Sequence, residues 1–146
     1  MKNLKISVLV LTMLLVIAIP AFAEVTDYQV GARPLGMGGA FVGLADDTNA
    51  VYWNPAALAN LEGFGFTSMK AEMFGMEDLT LDYYAGSYRI SDDMGVGVYM
   101  IQDQSTLEED DVETEEPNTS KYTIRRLGAA FSRSITNNIN LGTTLN

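Results

Sequence analysis

Eight carboxylates fall between Asp103 and Ser120 (Asp103, Glu108, Glu109, Asp110, Asp111, Glu113, Glu115 and Glu116), with no basic residue among them. Such a run offers the oxygen ligands that Ca²⁺ requires, but it lacks the D-x-[DN]-x-[DN]-G spacing of a formed calcium loop. A solvated, self-repelling loop is the better reading of a like-charge run. Asp46 and Asp47 are a second carboxylate pair. Adjacent residues on a turn do not flank a glycosidic bond, so helix capping explains them better than acid–base work. Gly36-Met37-Gly38-Gly39 invites comparison with a phosphate loop, yet no Gly-Lys-Ser/Thr follows it, and a nucleotide site is not expected. Asp82, within a tyrosine-rich stretch, is a candidate for facing a polar interior. Asn118-Thr119-Ser120 matches a glycosylation sequon, a tripeptide too short to carry weight. The chain has no His and no Cys. That removes disulfides, the usual zinc ligands and histidine-based general-base or nucleophile activation. No catalytic residue, no metal site and no cofactor is expected, and ligand-binding residues remain unassigned.

The elements that would position these residues begin after an export signal. Lys2 and Lys5 precede an apolar run over Ile6–Ile19, and Ala21-Phe22-Ala23 follows Pro20. This is the layout of a signal peptide, residues 1–23, cut before Glu24. The run is shorter than the roughly 20 residues that span a bilayer as a helix. No later run reaches that length, so any membrane crossing would be made by strands. The formal net charge of −10 gives nothing to neutralise phosphates, and nucleic acid is not an expected partner.

Residues 24–61 are Gly-rich and read as a compact plug with one or two short helices. Asp46, Asp47 and Thr48 are N-cap candidates for a turn over Asn49–Tyr52. Asn54 followed by Pro55 is a second start signal, a capping residue and then proline at the first helical position, continued by Ala56. Phe41, Tyr52 and Trp53 either pack within this segment or form an interfacial aromatic girdle; their place just before Asn54-Pro55 favours packing. The methionines Met37, Met69, Met73, Met76, Met94 and Met100 serve as packing residues or as an adaptable apolar pathway.

From residue 62 onward the period becomes that of strands. Gly63–Lys70 puts Phe64 and Phe66 opposite Gly65 and Thr67. Leu79–Ile90 carries aromatics on both alternate sets, which a bulge near Ala85-Gly86 would reconcile. Met94–Gln102 alternates, and Lys121–Arg133 sets Leu127, Ala129 and Phe131 between Arg125 and Arg133 on one face. An apolar band bracketed by charges fits a lipid-facing strand. Ile139–Asn146 begins a fifth strand. The connections alternate medium, short, long and short (Met73–Asp78, Ser91–Asp93, Asp103–Ser120 and Ser134–Asn138). That is the rule for barrels with short turns on one side and longer loops on the other.

Three elements in order, Gly36-Met37-Gly38-Gly39-Ala40, Ala45-Asp46-Asp47 and Tyr52-Trp53-Asn54-Pro55-Ala56, resemble the N-terminal hatch of FadL-type outer-membrane channels and their PorV/PorQ-like relatives. The resemblance implies an all-β fold: a transmembrane antiparallel β-barrel, incomplete here at about five strands, with a Gly-rich N-terminal hatch containing short helices. Residues 24–61 would be the hatch and 62–146 the first barrel strands, truncated at the C-terminus. The hatch motif would comprise Gly36, Gly38, Gly39, Asp46, Asp47, Asn54, Pro55 and Ala56. The FadL-like branch implies passage of small hydrophobic molecules such as long-chain fatty acids across the bacterial outer membrane. The PorV/PorQ-like branch implies an accessory for protein secretion or surface attachment. Partners would be outer-membrane lipid, with either a hydrophobic small molecule or secretion-system proteins. A soluble secreted β-rich binding module is the reading from another class. A closed single-chain barrel needs at least about eight strands, so the chain is expected to be an N-terminal fragment.

Overall fold

The computed structural model describes the backbone of residues 28–110 and 117–146 and the side chains of residues 28–106 and 120–146. The expected signal peptide and the tip of the acidic run lie outside the described residues. Five antiparallel strands form one sheet in sequence order: β1 (Phe64–Glu72), β2 (Leu79–Ser91), β3 (Met94–Asp110), β4 (Pro117–Thr136) and β5 (Ile139–Leu145). The fold is all-β, a meander of hairpins in which each strand pairs with the next. Tight turns at Asp92-Asp93 and Asn137-Asn138 join β2 to β3 and β4 to β5.

Strand extents correct two expectations. The long loop over Asp103–Ser120 is mostly ladder: Asp103 pairs with Ile124, Thr106 with Lys121 and Asp110 with Pro117. Interstrand hydrogen bonds hold the extended backbone over residues 103–110 and 117–120, which side-chain composition alone reads as coil. No register shift occurs at Ala85-Gly86; the irregularity lies between Arg89 and Ser91. The aromatics of β2 are instead divided between faces, Tyr83 buried on one and Tyr84 and Tyr88 exposed on the other. No bulge is needed once both faces are apolar.

Cross-strand register defines those faces. On the exposed face Phe64 opposes Tyr88, which opposes Val96, which opposes Phe131. Parallel rows contain Phe66, Gly86, Val98 and Ala129, then Tyr84, Met100 and Leu127. Val98 is 60% and Leu127 68% exposed. The apolar field ends in polar residues both ways. At one end, Lys70 lies 3.9 Å from Asp82 and Arg125 Nε donates to Gln102 at 2.7 Å. At the other, Arg133 approaches Asp93 at 3.3 Å. Asp82 shares the register side of Phe64 and Leu127 at this polar margin, where it is buried beside Lys70.

Residues 28–61 cover the other face. They contain a helix over Ala32–Gly36, a helical turn over Ala50–Trp53 and a 3-10 helix over Pro55–Asn60. The core lies between this segment and the sheet and includes Val30, Phe41, Val51, Leu58, Tyr83, Tyr99 and Ile101.

Candidate functional site

The covered face of the sheet is built to receive a backbone. A Cβ at Gly95 would lie 2.3 Å from the carbonyl oxygen of Leu58. One at Gly97 would lie 2.3 Å from a Val51 methyl, and one at Gly142 2.2 Å from the amide nitrogen of Ala56. Any side chain larger than hydrogen at these positions would push the segment off the sheet. Two side-chain pairs fix its position: the Thr48 and Ser87 hydroxyls meet at 3.0 Å in a buried setting, and Asn140 Nδ2 donates to Asn60 Oδ1 at 2.9 Å.

Asp46 and Asp47 act together, as tension members more than as caps. Arg33 donates to both, at 2.7 Å to Asp47 and 3.2 Å to the second oxygen of Asp46. The Asp46 carboxyl is held below the usual carboxylate range, chiefly by its hydrogen bonds with Arg33. Asp47 Oδ1 also accepts from the backbone N–H and the side-chain amide of Asn49, at 2.8 and 2.7 Å. Asp47 therefore supports the start of the Ala50–Trp53 turn, as its residue type suggested, while Thr48 is turned instead toward Ser87. A group of carboxylates able to hold a metal ion is not found among the described residues.

Asn54 precedes the 3-10 helix, but its side chain makes no capping bond there. Its amide donates to the carbonyl oxygen of Val42 at 2.9 Å, tying two parts of the segment 12 residues apart. Pro55 occupies the first position of the 3-10 helix, where a missing N–H costs nothing. Ala56 rests on Gly142. Gly38 and Gly39 have φ of 63° and 79°, where only glycine sits without strain, whereas Gly36 ends a helix at an ordinary φ and faces open space.

Phe41, Trp53, Tyr52 and Tyr99 form a chain of edge-on aromatic contacts with centroids 6.4, 6.0 and 5.3 Å apart. Trp53 Nε1 donates to the carbonyl oxygen of Val30 at 2.9 Å. These rings pack within the segment and against the sheet rather than in a girdle. The chain of rings leads to a cavity of about 390 Å³ lined by Tyr52, Tyr99, Ile101, Arg125, Arg126, Leu127 and Asn146. At its margin the Arg126 guanidinium lies 4.8 Å from the ring of Tyr28, and Tyr28 donates to Asp103. Sequence reading missed Arg33, Arg126 and Tyr28. The Gly-x-Gly spacing of Gly95 and Gly97, with Gly142 two strands on, was the available signal for a face approached by backbone.

Searches against family models, curated proteins and solved structures find no match to this chain.

Proposed function

We propose that the chain forms the first strands and the hatch of an outer-membrane β-barrel of FadL-like type, serving the passage of small hydrophobic molecules. The observation that carries the reading is the asymmetry of the sheet. One face presents a continuous apolar field between polar margins, and the other is occupied by its own N-terminal segment. From Arg125 to Arg133 the strand rises about 27 Å at roughly 3.4 Å per residue. Tilted by about 40°, that length covers some 20 Å of membrane normal, close to the apolar belt of such barrels. Closure draws on strands beyond these five. Residues 28–61 then stand in the lumen, and the cavity beside Tyr52 and Tyr99, with Arg125, Arg126 and Asn146 in its lining, is a half-polar widening of the path. The work of transport is desolvation along that path, which needs no catalytic group.

The fit of Leu58, Val51 and Ala56 against glycines supports a second reading from the same resemblance, a PorV/PorQ-like accessory whose lumen stays shut. Reconstitution of the native protein into lipid vesicles separates these. Insertion with passage of oleate, reduced in Asn54→Ala or Pro55→Ala, is the expected result. Insertion without passage, with secretion proteins co-purifying, moves the assignment to the accessory. Recovery in the soluble periplasmic fraction removes both and leaves a soluble binding module.

A further inference from the structure

The exposed face of the sheet carries a groove along the seam of β2 and β3. Two hollows of about 260 and 200 Å³ open there. Tyr84, Phe66 and Met100 border the first, and Tyr88, Phe64 and Val96 border the second. Gly86 and Val98 line both, so the hollows meet at Gly86. A Cβ added there would meet nothing nearer than the carbonyl oxygen of Gly65 at 3.9 Å. From Tyr84 to Tyr88 the strand rises about 14 Å at roughly 3.4 Å per residue, so the groove runs with the strands across the apolar field. The next register row, on the side of the longer connections, is Lys70, Asp82, Gln102 and Arg125. Asp82 and Gln102 stand over the seam, and Lys70 and Arg125 flank them one strand out on either side. Asp82 is buried, with Lys70 at 3.9 Å and Gln104 Nε2 donating to it at 3.5 Å. The Lys70 side chain is nevertheless 69% exposed. Arg125 is exposed too, with its Nε on Gln102. The row therefore sets two exposed cations around one buried carboxylate. Glu72 and Glu108 share its register side but stand further from the groove.

We infer that this groove and row bind one anionic phospholipid, with an acyl chain laid along Gly86 and the phosphate held between Lys70 and Arg125. The inference rests on the membrane-spanning reading and not on what crosses the lumen. Charge complementarity selects the headgroup: an anionic phosphate neutralises the exposed cations, whereas a zwitterionic headgroup brings a cation of its own to the row. Asp82 is a positioning residue, which holds the Lys70 ammonium beside the seam. Gly86 keeps the groove continuous, and any larger side chain there would divide it. The opposite margin is different in kind, because Arg133 is already paired with Asp93 at 3.3 Å.

Intact-mass measurement tests this on the native protein, inserted into vesicles of equal parts phosphatidylcholine and phosphatidylglycerol and then released in mild detergent. One phosphatidylglycerol is expected to stay bound, favoured over phosphatidylcholine about tenfold, the scale that one to two surface cations give against an anionic lipid. Arg125→Gln is expected to cut that preference about fivefold, while Arg133→Gln leaves it unchanged. Arg125 is the better target because removing Lys70 would strand the buried Asp82 carboxylate. Gly86→Leu fills the groove where the backbone leaves room, and is expected to abolish retention while inserting as the unaltered chain does. Equal retention of the two lipids by the unaltered chain overturns the headgroup assignment, as does an unchanged preference in Arg125→Gln. Full retention in Gly86→Leu overturns the groove. A doubled protein mass without lipid overturns the proposal in favour of a second copy of the chain. Failure of the unaltered chain to insert removes the membrane reading itself, and is seen before any lipid is weighed.

Discussion

Gly86 and Gly97 lie on paired strands, one ladder step apart, with Gly86 opposite Val98 and Ser87 opposite Gly97. They look alike in the sequence and stand on opposite faces. A Cβ at Gly97 would meet a Val51 methyl at 2.3 Å, whereas at Gly86 the nearest atom is the carbonyl oxygen of Gly65 at 3.9 Å. On the covered face glycine makes room for a chain. On the exposed face it leaves a dent among Phe66, Tyr84 and Val98. The lesson is that residue type on a strand acquires meaning from what crosses that face, and the two faces of this sheet meet different neighbours, protein on one side and, on our reading, lipid on the other.

A charge in the middle of the exposed face tests that difference most severely. Val98→Arg is expected to destabilise the inserted protein by about 2–4 kcal/mol, the cost of arginine near the bilayer midplane. Urea titration in vesicles measures it, and a neutral result would mean that water, not lipid, meets this face. Gly95→Ala comes next on the covered face. With backbone 2.3 Å from the new methyl, overpacking is expected to cost about 1–3 kcal/mol in the same titration. Thr48→Val keeps the shape but strands the buried Ser87 hydroxyl, an expected loss of about 1–2 kcal/mol that Ser87→Ala should partly restore. Gly86→Ala should change stability by less than about 0.5 kcal/mol, as an uncrowded surface substitution does. A cost equal to that of Gly95→Ala would erase the contrast between the faces.

The smallest effect is set by pH. The folded Asp46 carboxyl titrates below its ordinary value of 3.8, mainly through Arg33, with Asp47 sharing the guanidinium. A depressed folded value contributes stability that is present above pH 3.8 and is lost as pH falls through the lower folded value. Acrylamide quenching of Trp53 should therefore stay flat from neutrality down to that region and rise only below it. In Asp46→Asn the rise should shrink.

Most of the strand plan was legible because the period-2 signal is local. Phe64 and Phe66 against Gly65 and Thr67, and Leu127 and Phe131 between Arg125 and Arg133, fall on the faces that alternation assigns. Asp82 was not legible: alternation gives two sets of positions, and only the register across the strands puts it on the side of Phe64 and Leu127, buried beside Lys70. Asn54 carries the composition of a helix cap yet spends its amide on Val42. A partner 12 residues away in a turn is invisible to a rule that looks three residues ahead. The acidic hairpin read as coil because charge disfavours isolated strands, while the β3–β4 ladder supplies bonds that composition does not count.

The sequence by itself determined the all-β class, the five strands in their order and the short helical turns at Ala50–Trp53 and Pro55–Asn60. Each follows from alternation and from the helix-start composition of Asp47 to Asn49 and of Pro55, signals that act over a few positions. Only the tertiary structure decided that residues 28–61 fold onto the glycine-bearing face, that Arg33 spans to Asp46 and Asp47, and that Phe41, Trp53, Tyr52 and Tyr99 join into one chain of rings. These depend on groups far apart along the chain. Their approach is set by steric room at Gly95, Gly97 and Gly142, a property of the assembled sheet and not of any local pattern.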